Sequence, residues 1–225
     1  HVRWMPVSVS PVDPSFTRGR SPTRWLMLAL VWLLYFGFGV AMGSMPPLVS
    51  PIMEDLGLTY SEMGLVFGSW QLVYVLTAIP LGATVDRLSV RTTLGLGALV
   101  VLLSLVTRGL AVDFFTLLVA VGLFGVGGPI ISTGAPKIVA LWFEGAERGV
   151  AAGIYSTGPI AGLAFGLATA GSLVISLTGS WRGISLIYGI MYFVILYAWW
   201  LLAREAPSEG DGRTAQKIPE KPPLG

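Results

Sequence analysis

The side chains that most often carry catalysis are scarce in this sequence. Cysteine is absent, and the only histidine is His1. Thiol chemistry, disulfides, histidine catalysis and histidine metal sites are therefore excluded from the apolar part of the chain. No pair of a nucleophile and a base is recognisable either. We therefore expect that the protein is not an enzyme and that it needs no cofactor or metal.

One cation, Lys137, stands inside a long apolar stretch. An ammonium in such surroundings is costly unless it is paired or hydrated, so it indicates a functional site and suits an anionic ligand. A second interpretation stays open. Lys137 lies about 23 residues, or roughly 35 Å, along its predicted helix, where a long side chain can also reach an aqueous interface.

Two further groups combine aromatic and polar side chains. Trp70, Gln71 and Tyr74 share one helix face, and residues 155–157 carry a phenol and two hydroxyls. Gln71 needs a hydrogen-bond partner wherever water is absent, and hydroxyls can bond back to their own helix. Both groups are therefore candidates either for ligand contact or for packing between helices.

The elements that position these residues follow from the composition. Apolar residues make up 54% of the chain and charged residues 12%, whereas soluble domains carry about 25% charged residues. Hydrocarbon offers no partner to backbone groups, and continuously apolar runs of about twenty residues fit helices rather than alternating barrel strands. The sequence therefore predicts an all-α membrane protein with six transmembrane helices, in residues 25–53, 63–85, 92–107, 114–136, 149–181 and 183–203.

Three of these runs need comment at their ends. The third is short, but Arg91 and Arg108 can extend their side chains to the interface, so its helix is expected to continue past both. The fifth is long, and residues 178–180 are expected to end it. Trp199 and Trp200, near the end of the sixth, are expected to be interfacial anchors.

The basic residues predict the orientation of the chain. With a cytoplasmic N-terminus, eleven Lys and Arg residues fall on that side and only Arg108 and Arg182 on the other, which is a strong positive-inside bias. Both termini are thus expected in the cytoplasm, in a plasma or inner membrane, with residues 1–24 and 204–225 as disordered segments around the bundle. The net charge of +2 is assigned to this topology, so no nucleic-acid partner is expected.

An internal repeat is suggested by self-similarity at an offset of 85 residues. The matching pairs are Gly37 and Gly122, Gly43 and Gly128, Gly64 and Gly149, Gly68 and Gly153, Pro51 and Pro136, and Glu62 and Glu147. Three spans per unit would make the two units inverted relative to each other. Chance is the alternative, because glycine is abundant.

The loop between the second and third predicted helices carries the most informative motif. Gly82, Asp86, Arg87 and Arg91 resemble the signature of this loop in the major facilitator superfamily, although Ser89 replaces its second glycine and Val90 the first residue of its closing basic pair. The resemblance implies a cytoplasmic latch. Asp86 would face the positive N-terminal end of a helix in another half of the molecule, Gly82 would let that helix approach, and Arg91 would hold Asp86 in place. Ordinary topogenic charge is the alternative for Arg87.

The fifth predicted helix supplies a second resemblance. Gly158, Gly162 and Gly166, with Pro159, form a face of small residues that permits close helix contact. Residues 158–162 partly resemble the family's antiporter motif, but Leu163 replaces its last glycine. Residues 140–143, 147–149 and 180–183 also match the family, and the fourth helix is most similar to the branch of cyanate and nitroimidazole transporters. The arginine that many proton-coupled members carry early in the fourth helix is absent, and Val121 stands near its place.

The resemblance implies the N-terminal six-helix half of a secondary transporter, working by alternating access with a second six-helix bundle, either a missing C-terminal half or a second copy. A small organic or inorganic anion is the expected substrate. The coupling ion is left open, with a proton among the candidates, and a non-transporting scaffold or a channel is the alternative function. The substrate-cavity candidates are Tyr35, Gln71, Tyr74, Ser132, Thr133, Lys137 and Tyr155.

Overall fold

The computed structural model describes residues 22–85 and 88–205, and within these ranges the chain forms only helices and their connections. Six of the helices are long and apolar enough to cross a membrane, as the sequence predicts. In chain order, the helices are α1 Thr23–Gly43, α2 Val49–Leu56, α3 Tyr60–Val85, α4 Val90–Gly109, α5 Phe114–Trp142, α6 Gly145–Thr169, α7 Ile175–Thr178 and α8 Trp181–Leu202. The expected disordered segments, 1–24 and 204–225, fall almost entirely outside the described residues.

The first apolar run does not form one helix, contrary to the prediction. The α1 helix ends at Gly43, a 3-10 turn covers Pro46–Leu48, and α2 follows. Two consecutive prolines supply no backbone N–H and cannot continue an α-helix. The α2 helix then ends at Gly57, whose φ of 63° is left-handed, a conformation that glycine adopts without steric cost.

The other boundaries agree better with the runs. The α4 helix continues past Arg91 and Arg108, as expected. The α5 helix is longer than predicted, because it passes through both Pro129 and Pro136 and ends at Trp142. After α6, a π-helical segment, Ala170–Val174, leads into α7. The helical segment ends at Thr178, before Gly179 with its left-handed φ of 65°, where the sequence predicts the end of the fifth span.

The packing of the six spanning helices has an internal symmetry. The main helix pairs are α1 with α6, α3 with α5, α4 with α5, α4 with α8, and α1 with α8. Exchanging α1, α3 and α4 for α5, α6 and α8 converts this set of pairs into itself. That is the arrangement expected of a three-plus-three repeat.

The glycine pairs at an offset of 85 follow this symmetry only in part. Gly43 lies against α6 and Gly128 against α3, which are exchanged helices, so these two positions are equivalent. Gly37 packs against α8, whereas Gly122 faces α3 rather than α4. The offset of 85 therefore aligns equivalent positions for the pair Gly43 and Gly128, but not for the pair Gly37 and Gly122.

Trp199 corrects a prediction about the membrane interface. Its side chain is completely buried, and its indole N–H donates to the backbone carbonyl of Arg91 at 3.0 Å. The α8 helix packs on both α1 and α4, so one of the two neighbouring tryptophans must face the bundle. Of these two tryptophans, Trp199 is buried and Trp200 keeps an exposed ring.

Candidate functional site

The α1, α5 and α6 helices meet around Tyr35 inside the bundle. The buried phenol of Tyr35 donates to the carbonyl of Ile131 at 2.7 Å. The ring of Tyr155 stands edge-on to that of Tyr35, with 5.7 Å between the centroids. A buried tyrosine needs a hydrogen-bond partner for its hydroxyl. The Ile131 carbonyl is that partner for Tyr35, so the bond holds α1 against α5 at this level.

The α3 helix adds a second contact to the same level of α5. The hydroxyls of Tyr74 and Ser132 lie 3.2 Å apart, and Ser132 also bonds to the Pro129 carbonyl in its own helix. Ile131 and Ser132 are neighbours, so the two contacts are continuous. We call the four residues Tyr35, Tyr74, Ser132 and Tyr155 the polar cluster. Its hydroxyls can donate to or accept from a small polar ligand.

The remaining cavity candidates lie beside the polar cluster. The hydroxyl of Thr133 bonds to the carbonyls of Pro129 and Ile130 in its own helix. Gln71 is exposed and precedes Tyr74 by one turn of α3. Lys137 is partly buried, one turn beyond Thr133 along α5. The structure thus brings four of the seven candidates together as two contacting pairs, Tyr35 with Tyr155 and Tyr74 with Ser132, and the other three lie on the same helices α3 and α5.

The small residues of α6 lie against the backbone of α1. A Cβ added at Gly158 or at Gly166 would stand 3.0 or 2.7 Å from a carbonyl oxygen of α1, and one added at Gly162 would overlap the Phe36 carbonyl. Pro159 turns its own carbonyl toward α1 in return. Backbones this close are possible only where side chains are absent.

The loop motif is only partly within the described residues. Gly82 belongs to the last turn of α3, whereas Asp86 and Arg87 lie outside the described ranges. Arg91, in the first turn of α4, donates to the Trp200 carbonyl at 2.6 Å and lies over the Trp200 ring. The latch role of these four residues therefore stays a prediction.

Two ion pairs join distant helices, and the sequence reasoning missed both. Arg24 at the start of α1 binds Glu147 in the first turn of α6 through two bonds, of 2.6 and 3.2 Å. Arg182 at the start of α8 binds Asp55 in α2. The only available signal was topological, since each pair joins charges expected on the same side of the membrane.

Arg108 also differs from the prediction. It is 2% exposed, and its Nη1 donates to the Ala41 carbonyl at 3.0 Å. Its guanidinium therefore lies inside the bundle, not at the external interface. The expected extension toward water is wrong for this residue because its position on α4 faces α1 and α5.

Metal coordination finds no support in the described part of the chain, where no group of three or more His, Cys, Asp or Glu side chains could hold an ion.

Six spanning helices in two exchangeable sets of three, with polar side chains gathered between them, define the class of the protein as an integral membrane bundle of the kind found in transporters. The model of the Major Facilitator Superfamily matches residues 31–224. The chain belongs to this superfamily, whose members are transporters rather than enzymes.

Curated relatives share between 24% and 29% of the aligned residues. A hexuronate transporter of Bacillus subtilis is 29% identical over 161 residues, 70% of this chain and 37% of its own length. A probable sulfoacetate transporter of Cupriavidus necator is 28% identical over 89% of this chain and 46% of its own. A probable L-galactonate transporter of Escherichia coli is 27% identical over 68% of this chain and 33% of its own. The matched part of the chain thus spans between a third and a half of the length of these relatives.

Solved structures support the same fold. The inward-facing, unoccupied form of a bacterial homologue of the human lysosomal transporter Spinster superposes with a TM-score of 0.73 at 23% identity, over 84% of this chain and 45% of the other. The fold class predicted from the sequence, the N-terminal bundle of a major facilitator, is confirmed. The narrower resemblance to cyanate and nitroimidazole transporters stays a prediction.

Proposed function

We propose that the chain is the N-terminal half of a secondary active transporter that carries a small organic anion by alternating access. The polar cluster supports this most directly, because it brings together hydroxyl-bearing side chains of α1, α3, α5 and α6 in a largely apolar bundle, with Tyr35 buried and Ser132 exposed. Polar groups in a membrane interior are costly and typically mark a substrate pathway. Gln71, Thr133 and Lys137 would complete the substrate-facing surface around the cluster.

The anionic character of the substrate rests on two observations. Relatives are named as transporters of hexuronate, sulfoacetate and L-galactonate, all carrying an acidic group. Lys137 offers a cation one turn from Thr133, and the hydroxyls of the polar cluster suit the hydroxyl groups of a sugar acid.

A second bundle is part of the proposal. The relatives are about twice as long as this chain, and two spans are hardly covered by their own bundle. Buried residues make up 6% of the α3 span and 22% of the α6 span, against 61% for the spans of α1 and α5. A C-terminal half or a second copy packed beside α3 and α6 would enclose the substrate at the midplane.

The orientation and the latch complete the proposal. Eleven basic residues against two favour cytoplasmic termini, which would place Gly82, Asp86, Arg87 and Arg91 on the cytoplasmic side. Asp86→Asn should then abolish most uptake while the protein still reaches the membrane. Unchanged uptake in this variant would remove the latch.

The decisive test uses the transporter that contains this chain together with its second bundle. Reconstituted in liposomes preloaded with a hexuronate or galactonate, it should show saturable counterflow of the labelled anion. Ser132→Ala should raise KM about fivefold, because a lost hydrogen bond costs about 1 kcal/mol. Ser156→Ala is the matched control, since the Ser156 hydroxyl bonds only to its own helix in the structure.

Two results would contradict the proposal. Equal KM values for the Ser132 and Ser156 variants would remove the polar cluster from the substrate pathway. Steady conductance without counterflow would favour a channel instead.

A further inference from the structure

The outer end of α4 holds a guanidinium that the proposed transport cycle does not use. Arg108 is the penultimate residue of α4 and is 2% exposed. It points inward between α1 and α5, on the side of the bundle opposite to the loop motif at the start of the same helix. A charged side chain is almost never so deeply buried without a partner.

The neighbours of Arg108 satisfy the guanidinium incompletely. Nη1 donates to the Ala41 carbonyl at 3.0 Å, in the last turn of α1, where free carbonyls favour a cation. The guanidinium carbon lies 5.1 Å from the centroid of the Phe124 ring, a cation–π distance. The Nε atom, however, is buried without a hydrogen-bond partner.

No carboxylate pairs with this charge in the part of the chain that the structure describes, where both ion pairs use other arginines. One carbonyl and one aromatic face offset only part of the desolvation penalty of a buried ion. The electrostatics therefore call for an anion beside Arg108.

A small cavity adjoins Arg108. Its volume is about 20 Å³, and Ala41, Met45, Trp70, Arg108 and Phe124 contribute to its lining. This is room for one water-sized occupant, and a halide ion is only slightly larger. A sugar acid does not fit.

The lining favours an ion over water. A buried water needs two to four polar partners, whereas the side chains around this cavity are apolar apart from Arg108 and the indole of Trp70. An anion gains most of its stabilisation from one opposite charge and tolerates the positive edges of aromatic rings.

We propose that Arg108 and this cavity form a binding site for a single monovalent anion of halide size, between α1, α3, α4 and α5. The site goes beyond the proposed transport function, because it is too small for the organic substrate and its occupant stays in the bundle. The bound anion would neutralise Arg108 and thereby hold the outer end of α4 against α1.

Thermal unfolding of the purified protein in detergent tests the site without any transport. Sodium bromide and sodium chloride should raise Tm saturably, relative to sodium gluconate of equal ionic strength. At about ten times the dissociation constant, the rise should be about 3–6 °C for a chain of this size. Equal Tm values in the three salts would overturn the proposal.

Arg108→Gln should abolish the halide-dependent rise. Arg182→Gln should retain it, because Arg182 is a partly exposed arginine paired with Asp55. A halide effect of the same size in Arg108→Gln would show a general salt effect and refute the site.

A second variant keeps the charge, in case Arg108→Gln does not fold. Ala41→Val places two methyl groups at a completely buried position of the cavity lining, and it should also abolish the halide-dependent rise. Bromide should quench tryptophan fluorescence saturably in the native protein, and Trp70→Phe should remove that component. Saturable quenching that survives both Ala41→Val and Trp70→Phe would place the ion elsewhere.

Discussion

Gly162 offers the sharpest test of how the bundle is held together. It is the middle glycine of the small face of α6, and Gly162→Ala adds one methyl group. The added Cβ would overlap the carbonyl oxygen of Phe36 and lie 2.9 Å from the amide nitrogen of Val40. Both atoms belong to the backbone of α1, so no side chain can turn away to make room, and α6 must move as a whole.

The expected magnitude follows from two opposing terms. Overpacking by a methyl group in a close-packed interior costs about 1–3 kcal/mol. Alanine regains about 0.5–1 kcal/mol of helix propensity over glycine. Gly162→Ala should therefore destabilise the protein by about 1–2 kcal/mol.

Gly153 on the same helix is the matched control. No atom lies within 4 Å of a Cβ added there, so Gly153→Ala shows the propensity term alone and should be neutral or stabilising by up to about 1 kcal/mol. The two variants should differ by about 2 kcal/mol, or about 4–8 °C in Tm.

Thermal unfolding of both variants in the same detergent, followed by tryptophan fluorescence, measures this difference. Far-ultraviolet circular dichroism checks that each variant keeps its helix content. If the two variants melt together, α1 and α6 are not in backbone contact and the close packing described above is wrong.

Two further predictions concern charges near the helix ends. Glu147→Gln should lower stability by about 1 kcal/mol, because it breaks the two-bond ion pair with the largely buried Arg24. The charge swap Arg24→Glu with Glu147→Arg should recover part of the loss in thermal melts, and a swap no better than the single variant would contradict the pair. Thr116 donates its backbone N–H and its hydroxyl to the Asp113 carboxylate, which holds the pKa of Asp113 below its usual value. Since the pKa is lower in the folded state, this contribution is present above about pH 4 and is lost as the pH falls. Asp113→Asn should therefore flatten the acid side of the stability curve measured between about pH 3 and 7, and an unchanged slope would contradict the cap.

The sequence predicts the helices well because length and apolarity alone define a membrane span. It fails where the backbone decides. Pro46 and Pro47 interrupt an unbroken apolar run, whereas Pro136 does not interrupt α5. Pro46 and Pro47 are adjacent and together remove two backbone donors, whereas Pro136 is a single proline in its turn and removes one. A hydropathy pattern carries no such information.

The polar cluster shows a similar limit. The types of its residues mark them as candidates, but Tyr35 bonds to a residue 96 positions away and Tyr74 to one 58 positions away. Local spacing cannot predict such pairs. The repeat offset predicts which helices are exchanged and so limits which helices can pair. It does not predict the residue pairs, because only one of the two glycine pairs compared above packs on exchanged helices.

Arg108 shows why charge counting and burial answer different questions. Its position belongs to the buried stripe of α4, whose other members recur at alternating steps of four and three residues: Leu94, Ala98, Val101 and Leu105. In a soluble helix this stripe would stand out against a polar face. Here the opposite face carries Leu96, Leu99 and Leu103, each at least 40% exposed, because lipid accepts leucine as readily as the core does. The sequence therefore cannot say which face a terminal arginine joins.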